Sequence, residues 1–217
     1  MDAPEVFQLV EALRGKTTLR QFARFSGSAT GRRILAERGD LLDRLSDHAS
    51  LAQLPPGSLG RAYFELLHGA GLSAEKLVVA SKLERPSEVD ELAWFRERNR
   101  DMHDLLHVIA GYGCDPLGEA CIIAFTYAQT GLKGLAVIAV VAGTRIARRT
   151  RGVGALRAVY EAYRRGKKAI WLIDADWENL LAEQTAVLQE RFHIAAPTHY
   201  LPPASACAAG NATGAAG

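Results

Sequence analysis

The chain has 217 residues, of which 48% are hydrophobic and 23% are charged, and its formal net charge is +2. This length suffices for one substantial hydrophobic core, and the composition excludes a generally disordered chain. The three cysteines are odd in number and lack Cys-x-x-Cys spacing, so they support neither a disulfide framework nor a cysteine metal knot and favour a reducing compartment.

Hydrophobic periodicity predicts a helical first half of the chain. Apolar residues recur at three- and four-residue spacing, and turns rich in Gly, Ser and Pro separate the apolar segments. The turn LPPGS ends in Ser58, which is placed to cap the next helix. The helices predicted in this half span residues 4–13, 19–25, 31–37 and 58–67.

The second half is predicted to begin with the longest helix, from about residue 88 to residue 110, followed by a loop over 111–118. Residues 168–173 are compatible with a short extended segment. The Ala/Gly-rich tail, 201–217, has no apolar period and should be disordered. Further helices are predicted at 119–130, from 133 to 168, and at 177–192. The expected fold is therefore all-α, a compact single-domain helical bundle over residues 1–200.

Basic residues are concentrated between Arg145 and Lys168, where nine Arg or Lys face a single acid, Glu161. This segment either meets phosphate groups on a partner or forms a solvated helix face. Few aromatic residues interleave with the charges, so nucleic acid is not an expected partner. The apolar run just before it, 134–143, is about half of the ~20 residues that span a bilayer, and it predicts a buried or interfacial helix.

The candidate functional residues lie at the end of the longest predicted helix and at the start of the next. His103, Asp104 and His107 fall on one side of the helix when it is drawn at 100° per residue. Two histidines at i and i+4 can aim ring nitrogens at one point. Glu119 lies in line with the apolar face of its own helix, where a carboxylate needs a partner or a cation. We therefore predict one divalent metal ion bound by these four residues.

Alternatives to this site are open from the sequence. Glu119 could instead pair with Arg96 or Arg100, which lie on the side of the histidines. The mixed nitrogen and oxygen donors favour zinc and also suit iron or manganese. The string HDLLH is not the zincin signature, because Asp104 stands where the zincins have their general base.

The string HDLLHVIAGYGCDPLGE, residues 103–119, resembles the signature of the Coq4 family of ubiquinone (coenzyme Q) biosynthesis proteins. Further landmarks occur in the same order: LPPGSLGRAYF at 54–64, the Arg-containing segment at 96–102, QTGL at 129–132, and Trp177-Glu178 followed by a helix. The resemblance covers about residues 15–197. It implies an all-helical fold and a metal site, usually described as zinc, with the four predicted residues as ligands.

The resemblance also implies a function: metal-dependent, oxidative removal of the C1 carboxylate from a polyprenylated 4-hydroxybenzoate, such as 4-hydroxy-3-methoxy-5-polyprenylbenzoate. The residues expected to serve catalysis are the four ligands. Arg100 is either a partner of the substrate carboxylate or a brace to Asp104 or Glu119. The alternative is a non-catalytic, lipid-binding scaffold that organises a ubiquinone-biosynthesis complex. The expected partners are the lipid substrate, other enzymes of the pathway and a membrane surface, with homodimer formation left open. With no targeting peptide recognised, we expect a cytoplasmic protein attached peripherally to the cytoplasmic face of the inner membrane.

Overall fold

The computed structural model describes residues 16–69 and 90–201, and the regular elements of these residues are helices. Their only bridge of the β type is an isolated antiparallel one between Ser58 and Gln184. The all-α prediction is confirmed. The predicted helix at 4–13 and the tail from 202 onward lie outside the described residues. None of the described helices is long and apolar enough to cross a membrane.

The helices are numbered here in chain order, with one 3-10 turn at Leu172–Asp174. The first half contains α1 (Thr17–Gly27), α2 (Ala29–Glu37), α3 (Leu41–Ser46), α4 (His48–Gln53) and α5 (Leu59–Gly69). The second half contains α6 (Glu91–Asp101), α7 (His103–Ala110), α8 (Pro116–Thr130), α9 (Lys133–Thr150), α10 (Gly154–Lys168), α11 (Trp177–Leu180) and α12 (Thr185–Arg191).

Helix α8 lies at the centre of the second half and packs mainly on α10 and α9, with further contacts to α7 and α1. Its approach to α10 is close, because a Cβ at Gly166 would lie 2.7 Å from the carbonyl oxygen of Phe125. The buried amide of Gln129 joins three elements there. It donates to the Gly166 carbonyl at 2.7 Å and accepts from the Leu172 backbone N–H at 2.8 Å. Helix α8, whose first turn carries Glu119, is therefore firmly packed in its second half.

The predicted helix at 88–110 is wrong as a single element. The structure divides it at Met102 into α6 and α7. Met102 keeps near-helical angles and its N–H still bonds to the Arg98 carbonyl, while Leu106 bonds back to the Met102 carbonyl. The interruption is therefore one residue long, and His103 becomes the first residue of a new helix.

Two other long helices of the sequence prediction are also divided. The helix predicted at 133–168 ends at Thr150, because Arg151 adopts the left-handed conformation (φ 51°) before Gly152, and α10 begins at Gly154. The helix predicted at 177–192 is split by residues 181–184. That stretch bonds to the first residues of α5, through the Leu59 N–H to the Glu183 carbonyl and the Gly60 N–H to the Leu181 carbonyl. The hydrophobic periodicity of a segment does not reveal such long-range hydrogen bonds.

The segment 168–173, considered as an extended segment, contains no strand and leads into the 3-10 turn. Helices α3 and α4 were not anticipated. Both are short, and their N-caps are Asp40 and Asp47, whose carboxylates accept backbone N–H groups of the first turn. Behind them, the buried guanidinium of Arg98 pairs with Glu178 and also donates to the Ala175 carbonyl at 3.1 Å. This pair joins α6, which leads to the histidines, to the C-terminal part of the chain.

Candidate metal centre

Helix α7 carries both predicted histidine ligands one turn apart. The ring centroids of His103 and His107 are 4.9 Å apart and the rings are nearly perpendicular, at 87°. His107 is buried, with 2% of its side chain exposed, whereas His103 is 35% exposed. The pair therefore has an inner member, fixed by the core, and an outer member that solvent or a substrate can reach.

The carboxylate of the site comes from the first turn of α8. Asp115 caps this helix by accepting the backbone N–H groups of Leu117 at 3.0 Å and Gly118 at 3.2 Å, and Pro116 occupies the first turn. Glu119 follows in the same turn, where the positive end of the helix dipole stabilises an anion. The predicted start of this helix at 119 was three residues late. The Asp-Pro pair at 115–116 was the signal that marks the start.

The folded chain brings Glu119 between the two histidines. Its Oε1 lies 3.5 Å from Nε2 of His107 and its Oε2 lies 3.9 Å from Nε2 of His103. One ligand atom from each of the three residues lies within 4.8 Å of the others, which makes the trio a group that could hold a metal ion. Zinc bonds of 2.0–2.2 Å place neighbouring ligand atoms of a tetrahedral ion about 3.3–3.6 Å apart. The spacing of Glu119 from His107 falls in this range, and its 3.9 Å spacing from His103 is slightly wider.

The tautomer of the neutral His107 ring is set from its far side. Its Nδ1 lies 3.1 Å from the carbonyl oxygen of Tyr112, which can only accept a hydrogen bond. Nδ1 must therefore carry a proton, and Nε2 of the neutral ring presents a lone pair toward the carboxylate of Glu119. Two electron-rich atoms facing each other need a cation or a second proton between them. A backbone carbonyl bonded to the far nitrogen is also the usual support of a metal-ligating histidine.

The electrostatics of the metal-free trio agree with this arrangement. Hydrogen bonds from His103 and His107 lower the pKa of Glu119 to about 2, so it is ionised at neutral pH. Burial acts to lower the pKa of His107, but the hydrogen bond and the charge of Glu119 outweigh it and the net shift is upward. A site that draws a proton onto His107 is one in which a divalent cation can replace that proton.

Asp104, the fourth predicted ligand, is half-buried on α7 and does not belong to the trio's close group. Burial raises its pKa and the charge of Glu119 raises it further, while the nearby histidines act in the opposite direction. It is therefore close enough to interact with all three members of the trio. Arg100 is exposed and lies 3.8 Å from Asp101, measured from Nε to Oδ1. Glu119 contacts both histidines, as the predicted metal site requires.

Three contributors to the site were missed by the sequence prediction. The Tyr112 carbonyl orients His107, Asp115 caps the helix of Glu119, and the Tyr200 hydroxyl bonds to Asp115. The capping role was visible in the Asp-Pro pair. The other two depend on the folded path of the chain, and no local pattern marks them.

Residues 5–198 match the model of the Coq4 family, described as coenzyme Q (ubiquinone) biosynthesis proteins. This chain belongs to the Coq4 family. The match includes the trio and Asp104, and it confirms the family to which the sequence was assigned by resemblance.

Curated relatives from the family are mitochondrial ubiquinone biosynthesis proteins of fungi and mammals. The protein of Botryotinia fuckeliana is 32% identical over 174 residues, covering 78% of this chain and 59% of its own length. That of Coprinopsis cinerea is 29% identical over 167 residues, covering 77% and 56% respectively. The human homologue is also 29% identical over 167 residues, covering 77% and 62%. The chain therefore spans less than two thirds of the length of these Coq4 proteins.

The fold also occurs in a crystal structure at 2.85 Å resolution of a candidate ubiquinone biosynthesis protein from Nostoc punctiforme. The two structures superpose with a TM-score of 0.61 over 87% of each chain, at 22% sequence identity. This similarity concerns the fold alone, and it extends the helical architecture of this Coq4 chain to a bacterial protein.

Proposed function

We propose that this Coq4 chain binds one divalent ion, with zinc favoured over iron or manganese, through His103, His107 and Glu119, with Asp104 as a fourth ligand. The observation that supports the proposal is the 3.5 Å approach of His107 Nε2 to Oε1 of the Glu119 carboxylate. A cation between them would satisfy both groups. The ligand set of two imidazoles and carboxylates suits these metals.

We further propose that the site acts on a polyprenylated 4-hydroxybenzoate in ubiquinone biosynthesis. In the reaction the C1–carboxylate bond breaks, CO2 leaves, and a hydroxyl group forms at C1. The ring loses two electrons in total. With dioxygen as the acceptor, one acid, one water and one O2 give the phenol, CO2 and H2O2, which balances atoms and electrons. The bound divalent ion would supply Lewis acidity toward the carboxylate or a neighbouring ring oxygen.

The chain's own residues have separate tasks in this proposal. His107 is buried and would hold the ion from the protein interior. His103 and Glu119 are partly exposed, so a substrate would approach the ion past them. Arg100, one turn before His103, would hold the substrate carboxylate by paired hydrogen bonds. An Arg100→Met variant should then raise KM for the benzoate more than it lowers kcat.

The decisive experiment supplies the purified, metal-loaded chain with a short-tailed polyprenyl-4-hydroxybenzoate and detects the decarboxylated, hydroxylated ring by mass spectrometry. A His107→Ala variant should lose product formation by at least about 100-fold, because it removes the buried ligand. The matched control is His193→Ala, which removes a surface imidazole far from the trio in sequence. Undiminished product in the His107 variant would refute the metal-dependent reaction.

A second candidate function is the lipid-binding scaffold, and the surface of α9 and α10 favours it. The two helices pack against each other near Gly143, where an added Cβ would lie 3.3 Å from Leu156. Large apolar side chains are exposed on both helices and in the turn between them, beside exposed cations. The apolar members are Val137, Val140, Val153, Leu156 and Tyr160, and the basic members are Arg145, Arg148, Arg149, Arg151, Arg157 and Arg164. Apolar groups next to arginines are typical of surfaces that dock on anionic membranes.

In this candidate the ion is structural, and the chain organises other ubiquinone-biosynthesis enzymes at a membrane, which would be the cytoplasmic face of the inner membrane. Vesicle flotation tests the docking surface. Arg149→Glu should weaken binding to phosphatidylserine vesicles severalfold, because each basic residue near an anionic surface contributes about 1 kcal/mol. Arg20→Glu on α1 makes the same charge change elsewhere and should have a smaller effect. Vesicle binding that does not depend on anionic lipid or on salt would refute the electrostatic docking. Product formation distinguishes the two candidate functions, because only the enzyme forms product.

A further inference from the structure

The loop at 111–115 determines how the metal-binding groups meet. It joins α7, which carries the histidines, to α8, which carries Glu119, and it supplies the Tyr112 carbonyl that bonds to His107 at 3.1 Å. The loop also rests directly on α8, since a Cβ at Gly118 would lie 2.0 Å from the Gly113 carbonyl oxygen. A shift of this loop would therefore move the orientation of His107 and the position of Glu119 together.

Residues 194–200, here called the C-terminal strap, lie across this loop. The hydroxyl of Tyr200 donates to Oδ2 of Asp115 and accepts the backbone N–H of Gly113 at 2.9 Å. The ring of Tyr200 packs edge-on against Tyr112, with centroids 5.3 Å apart. Tyr200 is 2% exposed, so these contacts exchange little with water. A single side chain thus contacts the residue before the helix of Glu119 and the residue whose carbonyl orients His107.

The strap is itself held by α10. The buried guanidinium of Arg165 donates to the Ala195 carbonyl in the strap and to the Ala110 carbonyl, at the end of α7, at 2.8 Å. Glu161 accepts the backbone N–H groups of Thr198 at 2.9 Å and His199 at 2.8 Å. These bonds fix the strap at its middle and leave Tyr200 as the group that transmits its position to the loop.

We propose that Tyr200 is a positioning residue of the metal centre, which it controls through the bonds of its hydroxyl to Gly113 and Asp115. This inference rests on the proposed metal site and adds a residue from the far end of the described chain. It assigns the strap to the maintenance of ligand geometry. Loss of the hydroxyl leaves the ring packing in place and frees the loop at two points, so the ion is held less tightly while the helices stay folded.

The test compares the metal affinity of the wild-type chain and Tyr200→Phe, using Zn2+ in competition with a chromophoric chelator and Co2+ absorption as a report on ligand geometry. We expect about tenfold weaker Zn2+ binding, at the lower end of the effect of losing a group that supports a metal ligand. The Co2+ spectrum should change as well. Tyr127→Phe is the control. It removes a hydroxyl from α8 eight residues beyond Glu119, where the ring stacks on Tyr163, and it should bind both ions as the wild type does.

A second variant, Asp115→Asn, keeps a capping oxygen for α8 and removes the acceptor of the Tyr200 hydroxyl. It should reproduce the weaker binding even if Tyr200→Phe fails to fold. Unchanged Zn2+ affinity and Co2+ spectrum in the folded variants, with only a lower Tm, would overturn the positioning role and leave the metal site standing. A wild-type chain that binds neither ion would overturn the proposed metal site itself, and the positioning role with it.

Discussion

His107 Nε2 lies 3.5 Å from Oε1 of Glu119, while the other nitrogen of the same ring faces the Tyr112 carbonyl at 3.1 Å. The imidazole therefore meets an acceptor on each side, and its neutral form can satisfy only one of them. A second proton on the ring, or a metal ion in its place, resolves the conflict. This relationship between two helices is the basis of the metal-binding predictions below.

Replacing Glu119 by Gln should weaken Zn2+ binding by at least about 100-fold, because the amide keeps the shape of the side chain and loses the negative charge. Isothermal titration of the chelator-treated protein measures the change. Glu190→Gln, an exposed carboxylate on α12, is the control and should bind as the wild type does. Equal affinities in the two variants would exclude Glu119 as a ligand.

The stability of the metal-free protein should depend on pH through His107 and Glu119. In the metal-free protein the raised pKa of His107 stabilises the fold below its ordinary pKa of 6.5, and that contribution is lost as pH rises through the raised value. The lowered pKa of Glu119 stabilises above its ordinary 4.5 and is lost as pH falls toward about 2. The metal-free pair therefore contributes most between about pH 4.5 and 6.5.

Zinc competes with the proton on His107, so the rise in Tm on adding Zn2+ should be larger at about pH 8 than at about pH 6. Differential scanning fluorimetry at both pH values checks this. The His107→Ala variant, which lacks the pairing of His107 with Glu119, provides the reference. A rise in Tm that is equal at the two pH values, or larger at the acidic one, would contradict the exchange of proton for metal.

Gly118→Ala should displace the loop at 111–115, since the new Cβ would lie 2.0 Å from the Gly113 carbonyl oxygen. Neither group is a flexible side chain that can move aside. We expect a loss of about 2–3 kcal/mol in the free energy of unfolding together with weaker metal binding. Gly154→Ala, where a Cβ would meet nothing within 4 Å, is the control and should change stability by less than about 1 kcal/mol. Urea denaturation distinguishes the two, and similar losses would contradict this packing.

Arg165→Met should destabilise the fold by about 3 kcal/mol or more, because two backbone carbonyls lose a charged donor inside the protein. Those carbonyls belong to Ala110 and Ala195. The neighbouring Arg164 is exposed, and Arg164→Met should change the free energy of unfolding by less than about 0.5 kcal/mol. Equal effects in urea denaturation would show that Arg165 does not join α7 to the C-terminal strap.

The sequence predicted the helical class and the approach of three candidate ligands because both depend on local spacing. His103 and His107 face one way on any helix, and Glu119 follows an Asp-Pro start, so their convergence needs only a short loop. The breaks in the long helices could not be predicted in the same way. The turn at 181–184 forms because its carbonyls bond to residues Leu59 and Gly60, more than a hundred positions earlier.

The basic segment shows the same limit. The nine basic residues between Arg145 and Lys168 suggested one cationic surface. Instead, Arg165 is buried and donates to backbone carbonyls, while the acid Glu161 accepts hydrogen bonds from the C-terminal strap. Charge counts along a chain do not distinguish a solvated arginine from one that joins two helices. Which of the two an arginine is depends on the face of α10 that packs against α8, and that face is set by long-range packing.

Metal analysis of the chain, purified without chelators, tests the central claim most directly. Mass spectrometry of the elements should find about one divalent ion per wild-type chain, and His107→Ala, prepared in parallel, should have lost most of it. A stoichiometry near one that disappears with the buried histidine is the predicted result. A wild-type chain without divalent metal, or a variant that retains the full content, would contradict the proposed site.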